Sequence, residues 1–509
     1  MTTFILVSGV FTGPHVWDGT AARLTSAGAE VRAVALTGLG GAGPSVGTEA
    51  DLETHIADVV AVIDSVGQGA GGQIVLVGHD YGIHPVVGAA DRRAEAVARI
   101  VYLDSGLPQD GVPALAAVPD PGVRDEVLRA AAEGTPGTGS VLPAPGRDGW
   151  QLWGSTADVP DAALDRLTAL ASPQPLATLL QPLRLTGAAA ALPMAGVLCA
   201  GNGASIAMVQ AQVNLGEPGL QPLTDPRVTF FELPTGHWPM LSGTTALAVT
   251  LLKAAAGEGH RLTPVDAARP APHLRPFLLD MPEVPCERTD TMDLYLPQDV
   301  HGPRPAVVFV HGGPVPPGAR PTPRDWPTLT GYARYAADHG VVGVTLDHRL
   351  HALTDYERAA DDVADTVRRV RADPRVDADR VALWFFSGSG PLTADWLAKP
   401  PAWLRCLAAD YPIMAPLPNW GRFDSRFHPA DAVTGAGSLP LVLVRAGLEA
   451  NEIAATVEEF LAAARRCGAN IEVVDVPDGH HGFETIDRTD ASRDAVHRAM
   501  GTLLRHLTA

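Results

Sequence analysis

Ile74-Val75-Leu76-Val77-Gly78-His79-Asp80-Tyr81-Gly82 decides the reading of this chain. Four apolar, mostly β-branched residues mark a buried strand. The strand runs straight into Gly-x-Asp-x-Gly, a spacing that predicts a sharp strand-to-helix turn with Asp80 lifted above the sheet. The flanking glycines suit such a turn, because its central residue is strained and its neighbours lie close. A second stretch of this kind follows far downstream, where Val381-Ala382-Leu383-Trp384-Phe385-Phe386 runs into Ser387-Gly388-Ser389-Gly390.

Outward from Asp80, apolar runs predict strands at 4–7, 31–35, 98–103, 196–199 and 228–233. Helices are expected at 20–27, 51–66 and 244–256, the second with Ile56, Val59, Val60 and Ile63 on one face. Strand alternating with helix is the pattern of a parallel sheet covered on both faces. The glycine loop Leu36–Gly41 lacks the Lys-Ser/Thr that would grip a phosphate. Residues 107–192 break the alternation. They are Pro-rich and mostly helical in pattern, and are read as a cap over Asp80. Around Ser387, strands are expected at 292–296, 306–310, 341–346, 439–444 and 471–476, with a helix at 356–370. The predicted fold class is therefore α/β, with two tandem domains at 1–256 and 285–509 and a linker or strap at 257–284. The cap belongs to the first domain alone: 122 residues separate Asp80 from Asn202, against 62 between Ser387 and Glu449.

Length alone favours two cores, since the chain has 509 residues. A net charge of −19 argues against nucleic acid or an anionic membrane as partner. The partner expected is a small-molecule substrate, with a homodimer left open. Cys199, Cys286, Cys406 and Cys467 form no CxxC and read as reduced thiols of a cytoplasmic protein. The first residues enter a strand with no cationic region, so no signal peptide is expected. No metal-ligand spacing and no dinucleotide fingerprint stands in the sequence, so no metal and no cofactor is expected. His15, His55 and His260 read as surface residues, and His79 as packing beneath the turn.

Ser387, Glu449 and His481 follow in the order nucleophile, acid, histidine, and here the chain resembles the α/β-hydrolase superfamily. Asp478-Gly479-His480-His481-Gly482-Phe483 is similar to the ending of dienelactone-hydrolase and acyl-peptidase-like members, which favours His481 over His480. The resemblance implies attack by Ser387, proton transfer to His481 and orientation of its ring by Glu449. It also implies an oxyanion hole from N–H groups near Gly313, in His311-Gly312-Gly313-Pro314, and at Gly388. Phe385 stands where glycine is usual, which keeps Ser389 open as the nucleophile. A degenerate repeat, with Ser-Gly-Ser-Gly as a mere helix cap, is the other reading.

The Gly-His-Asp of the first turn resembles epoxide hydrolases and haloalkane dehalogenases, whose Asp attacks carbon to form an alkyl-enzyme ester. His237 in Gly236-His237-Trp238 is then the base that activates water. Its orienter is either Asn202, in the loop after Cys199, or Asp104, at the end of strand 98–103. Oxyanion donors are expected at Val10, Phe11 and Tyr81, and Trp150, Trp153 and Trp238 at the substrate end, with cap core the alternative for the first two. Apart from Asp80, this half resembles capped esterases and hydroxynitrile-lyase-like members. The sequence thus points to a hydrolase of small esters or lactones. Two alternatives stand beside it. One is a lyase, cyclase or isomerase with Asp80 as general base and the other half as scaffold; the other is a binding role for one half.

Overall fold

The computed structural model describes residues 1–40, 50–67, 72–118, 120–133, 141–214, 218–264, 270–298, 302–420 and 423–508. Gly41 of the glycine loop, Arg269 of the linker, and cap residues 119 and 134–140 lie outside the described residues. The chain divides into two compact units. The first is chiefly Met1–Gln210 with Gly219–Pro264, and the second chiefly Val265–Leu417 with Phe423–Ala509.

The first unit is built on six strands: β1 (Thr2–Val7), β2 (Glu30–Ala33), β3 (Gln73–His79), β4 (Val97–Leu103), β7 (Met194–Cys199) and β8 (Val228–Leu233). A two-residue ribbon, β5 (Val141–Leu142) with β6 (Gln174–Pro175), lies in the cap region. The sheet order is β2-β1-β3-β4-β7-β8 and every pairing is parallel. Phe4, Ile5, Leu6 and Val7 are fully buried, as are Leu76 and Val77. Such unbroken apolar runs belong to strands buried on both faces. Helix Leu52–Gly67 buries Leu52, His55, Ile56, Val59 and Ile63. His55 is thus no surface residue: it lies on the apolar stripe, one turn from Val59. The cap is less helical than its pattern predicts. It holds helices Pro121–Glu133, Asp161–Leu170 and Leu176–Leu180, the ribbon, and short 3₁₀ turns.

The second unit holds β9 (Cys286–Arg288), β10 (Met292–Tyr295), β11 (Arg304–Val310), β12 (Val342–Leu346), β13 (Val376–Phe386), β14 (Leu404–Asp410), β15 (Leu441–Ala446) and β16 (Ile471–Val476). Their order is β16-β15-β14-β13-β11-β12-β10-β9, parallel except at β10/β12 and β10/β9. Six strands repeat the order of the first sheet, and the antiparallel pair β10 and β9 extends the β12 edge. Phe277 and Leu278, in the expected linker, are core residues of this unit, with Phe277 packed against helix Pro327–Asp338 at Gly331. Among the described residues no helix is long and apolar enough to cross a membrane.

Both sheets change winding direction beside the central strand, β1 or β11. Loops leaving the carboxyl ends of neighbouring strands there enclose a crevice. Asp80 follows β3 with φ +49°, and Ser387 follows β13 with φ +51°. Non-glycine residues seldom adopt this left-handed backbone, which marks both as strained turns. A Cβ on Gly82 would lie 2.5 Å from the Ser8 carbonyl oxygen, and one on Gly78 would lie 2.5 Å from Ile83 Cα. Gly82→Ala should therefore destabilise the first unit by about 1–3 kcal/mol. Gly106→Ala, where a Cβ meets nothing within 4 Å, should stay within about 0.5 kcal/mol of the parent. Chemical denaturation of the two variants checks the contrast.

Candidate active sites

Five loops at the carboxyl ends of β1, β3, β4, β7 and β8 bring together Val10, Asp80, Asp104, Asn202 and His237. Asp80 Oδ2 accepts a hydrogen bond from the Val10 N–H at 3.1 Å. His237 Nδ1 donates to Asp104 Oδ2 at 2.7 Å, and both side chains are nearly inaccessible, at 5% and 3% exposure. Because a carboxylate only accepts, the proton sits on Nδ1 and leaves the Nε2 lone pair available. Burial pulls the His237 pKa down, yet the bond and charge of Asp104, with the charge of Asp80, raise it above the ordinary value.

Of the two orienters open in the sequence, Asp104 is the one bonded to the ring. Asn202 braces it instead. Its Nδ2 donates to Asp104 Oδ2 at 2.7 Å, while its contact with His237 Nδ1 is 3.5 Å between two donor nitrogens. The Cys199 N–H donates to the other oxygen, Asp104 Oδ1, at 3.0 Å. Asn202 Oδ1 in turn accepts from the Ser155 N–H at 2.7 Å, and the Ser155 carbonyl accepts from the His237 N–H at 2.8 Å. The cap is thereby fastened to the histidine backbone and to the amide that braces its acid. A Cβ on Gly154 would stand 2.4 Å from His237 Cγ, so glycine is required for this approach.

The expected oxyanion donors separate. The Val10 N–H faces Asp80. The Phe11 N–H does not serve, because it donates at 3.0 Å to Oε1 of the fully buried Gln174. Tyr81 is buried, and its hydroxyl lies 2.8 Å from His55 Nδ1, whose Nε2 donates to the Thr37 carbonyl. His79 packs beneath the turn, where its Nε2 donates to the His237 carbonyl and burial lowers its pKa to about 4. Trp150, Trp153 and Trp238 are all buried. Trp153 meets the Phe11 ring edge-on at 4.8 Å, Trp150 meets Trp238 at 5.6 Å, and Trp238 meets His237 at 4.8 Å. They form an apolar wall beside the histidine, with the Trp150 indole N–H committed to Thr168.

In the second unit Ser387 Oγ lies 2.7 Å from His481 Nε2, and His481 Nδ1 lies 2.5 Å from Glu449 Oε2. Glu449 Oε1 accepts the Ala450 N–H at 2.8 Å, which fixes the carboxylate. The relay hydroxyl to imidazole to carboxylate is continuous. Ser389 is excluded as the nucleophile: it is fully buried, and its Oγ bonds backbone groups of Phe386 and Val310. His480 turns outward to Asp487. Gly312 lies over Ser387, where a Cβ would be 2.9 Å from Ser387 Cβ, and Gly388 packs directly against the Gly313 carbonyl. The structure adds one residue that the sequence reading did not select. Tyr411, at φ +35°, sets its ring 4.8 Å from that of His481. Among the described residues no group of three or more His, Cys, Asp or Glu side chains is arranged to hold a metal ion.

Because the folded-state pKa of His237 is raised, its pairing contributes stability that is full below the ordinary value of 6.5 and is lost as pH rises through the folded-state value. Asp104→Asn leaves burial as the largest influence, which pulls the pKa down. Stability of the first unit should then fall as pH falls. Thermal unfolding of the two proteins between about pH 5 and about pH 9 should show slopes of opposite sign.

Residues 4–250 match the alpha/beta hydrolase family. A carbendazim hydrolyzing esterase from Nocardioides sp. (strain SG-4G) is 32% identical over 257 residues, spanning 49% of this chain and 98% of its own length. Among solved structures, a methylesterase from Arabidopsis is 19% identical with a TM-score of 0.39, covering 50% of this chain and 99% of its own. Tomato methylketone synthase I is 20% identical with a TM-score of 0.38, covering 50% and 98%. The matched stretch contains the Asp80 turn, Asp104 and His237, and over it the chain belongs to the alpha/beta hydrolase family of enzymes.

Proposed function

We propose that the chain is a cofactor-independent hydrolase of small-molecule esters or lactones with two sites, each in its own α/β-hydrolase-like domain. The observation that carries this reading is the unbroken Ser387–His481–Glu449 relay. Ser387 attacks an acyl carbon while His481 takes its proton, and the histidine returns that proton to the leaving oxygen. The Gly313 and Gly388 N–H groups supply the oxyanion hole. Water, activated by His481, then releases the acid. The repeated six-strand order supports a second domain of the same kind, and the carbendazim hydrolyzing esterase among the relatives supports a small-molecule substrate for the first.

At the first site we assign covalent work to Asp80. Its Oδ2 rests on the Val10 N–H, which leaves Oδ1 to attack an electrophilic carbon and expel the leaving group. Water deprotonated by His237 Nε2 then adds to the Asp80 carboxyl carbon, with negative charge developing on the oxygen at Val10. The bond from that carbon to Oδ1 breaks, and the product departs with Oδ1, taking the proton held by His237, while the new Asp80 carboxyl loses its own proton to solvent.

Ser387→Ala should abolish labelling by a fluorophosphonate probe and abolish esterase activity on p-nitrophenyl acetate. Unchanged labelling would overturn the serine reading. For Asp80, a single turnover in heavy-oxygen water should give unlabelled product and a labelled Asp80 peptide. Label in the product directly, or no oxygen transfer at all, would instead make Asp80 a general base of the lyase, cyclase or isomerase kind.

A further inference from the structure

Asp410 ends β14 immediately before Tyr411, and Glu484 stands three residues after His481. Both carboxyl groups are fully buried, and no Lys or Arg among the described residues pairs with either. The Tyr332 hydroxyl, from helix Pro327–Asp338, lies 3.0 Å from Asp410 Oδ2 and 3.1 Å from Glu484 Oε1. One hydroxyl hydrogen thus stands between two carboxyl groups, with the Tyr411 ring buried beside them. Asp410 Oδ1 and Glu484 Oε2 find no N–H or O–H donor among the described residues. Two adjacent carboxylates without a cation are not sustainable at low dielectric, and the single Tyr332 O–H hydrogen cannot serve both. Burial pushes both groups up. Asp410, with the charge of Glu484 beside it, goes well above the usual carboxylate range.

We propose that Asp410 and Glu484 share one proton and act as positioning residues for His481, fastening the loop that carries the histidine to the strand end that carries Tyr411. The shared proton closes a ring of contacts: His481 against Tyr411, Tyr411 joined to Asp410 by one peptide, Asp410 to Glu484, and Glu484 back to His481 through Gly482 and Phe483. The titratable groups facing the pair are Tyr332 from its helix and Tyr411 from the strand end. Glu449 and His481 lie behind Tyr411. A hydrophobic joint would hold the loop equally well only if the Tyr332 hydroxyl were also removed, since it would otherwise be left unpaired.

The inference rests on Ser387 being the nucleophile, and fluorophosphonate kinetics on the full chain test it. A displaced imidazole impairs deprotonation of Ser387, not binding of the probe. Glu484→Ala should therefore lower the maximal labelling rate by about 10²-fold with half-saturation unchanged. Glu484→Gln donates N–H to an ionised Asp410 and should stay within about threefold of the parent. Asp410→Asn should behave like Glu484→Gln, and its infrared difference from the parent at neutral pH should carry the carbonyl band of one protonated carboxyl. If Glu484→Ala does not fold, Glu484→Asp, one methylene short of the contact, replaces it. Equal loss in the Ala and Gln variants, a change in half-saturation alone, or absence of the protonated-carboxyl band would overturn the proposal. Failure of the parent to label would overturn the serine reading instead, and the infrared result would still decide the shared proton.

Discussion

A single backbone conformation sets the terms for the rest of the molecule. At the ends of β3 and β13 the chain must leave an extended strand and enter a helix within one residue, and that residue takes a positive φ. Asp80 and Ser387 both accept this strain, so that their side chains stand clear of the sheet. The cost is tolerated because the surroundings over-determine it. Gly78 and Gly82 let the first turn close onto Ile83 and onto the carbonyl of Ser8. The second turn does without those glycines. Phe385 and Ser389 occupy their positions, and Ser389 Oγ instead fastens the turn by bonding the backbone of Phe386 and Val310. A hydroxyl here performs what close packing performs in the first unit.

Each sheet offers two places from which an acid can reach the histidine, and the two units choose differently. One place is the residue directly after β4 or β14, occupied by Asp104 and Tyr411, both at positive φ. The other lies three residues past β7 or β15, occupied by Asn202 and Glu449. In the first unit the carboxylate is at the earlier place, and the later one holds an amide that braces it. In the second unit the carboxylate is at the later place, and the earlier one holds an aromatic ring against the imidazole. A second carboxylate at the unused place would set two like charges around one histidine ring. Asn202 and Tyr411 avoid this while still filling the space.

The sequence shows both turns and most strands for a physical reason: strands buried on both faces read as apolar runs. Strand β14 escapes that reading because Leu404-Arg405-Cys406-Leu407-Ala408-Ala409-Asp410 has no β-branched residue. The choice between Asp104 and Asn202 is not legible, since both follow strands and only the reach of each side chain to His237 Nδ1 separates them. Phe11 is a plausible donor until a glutamine 163 residues later in the chain takes its N–H. Asp410 and Glu484 are still less visible. Acidic residues normally read as solvated, and nothing local marks a pair that comes together across the sheet. His55 was legible in principle, since it shares the stripe of Leu52, Ile56 and Val59.

Burial separates the two histidines in a way that bears on how each site works. His481 is 35% exposed, so water competes for its ring and the charge it gains is partly solvated. His237 is 5% exposed and its acid 3%, beneath a cap that bonds both the histidine backbone and Asn202. An imidazolium there has little solvent to stabilise it and depends on Asp104 and Asp80, whose charges are felt more strongly because water is excluded. A carboxylate nucleophile suits such a site. On the proposed covalent route Asp80 needs no base to remove a proton before it attacks, so His237 has to gain charge only in the second step, once the Asp80 charge has been spent in an ester. On the proposed serine route at the more exposed site, Ser387 would be deprotonated as it attacks, which calls for the base in the first step. On these two proposed routes, the order in which each histidine is charged follows from the residue at the turn, and the exposure of each histidine agrees with that order.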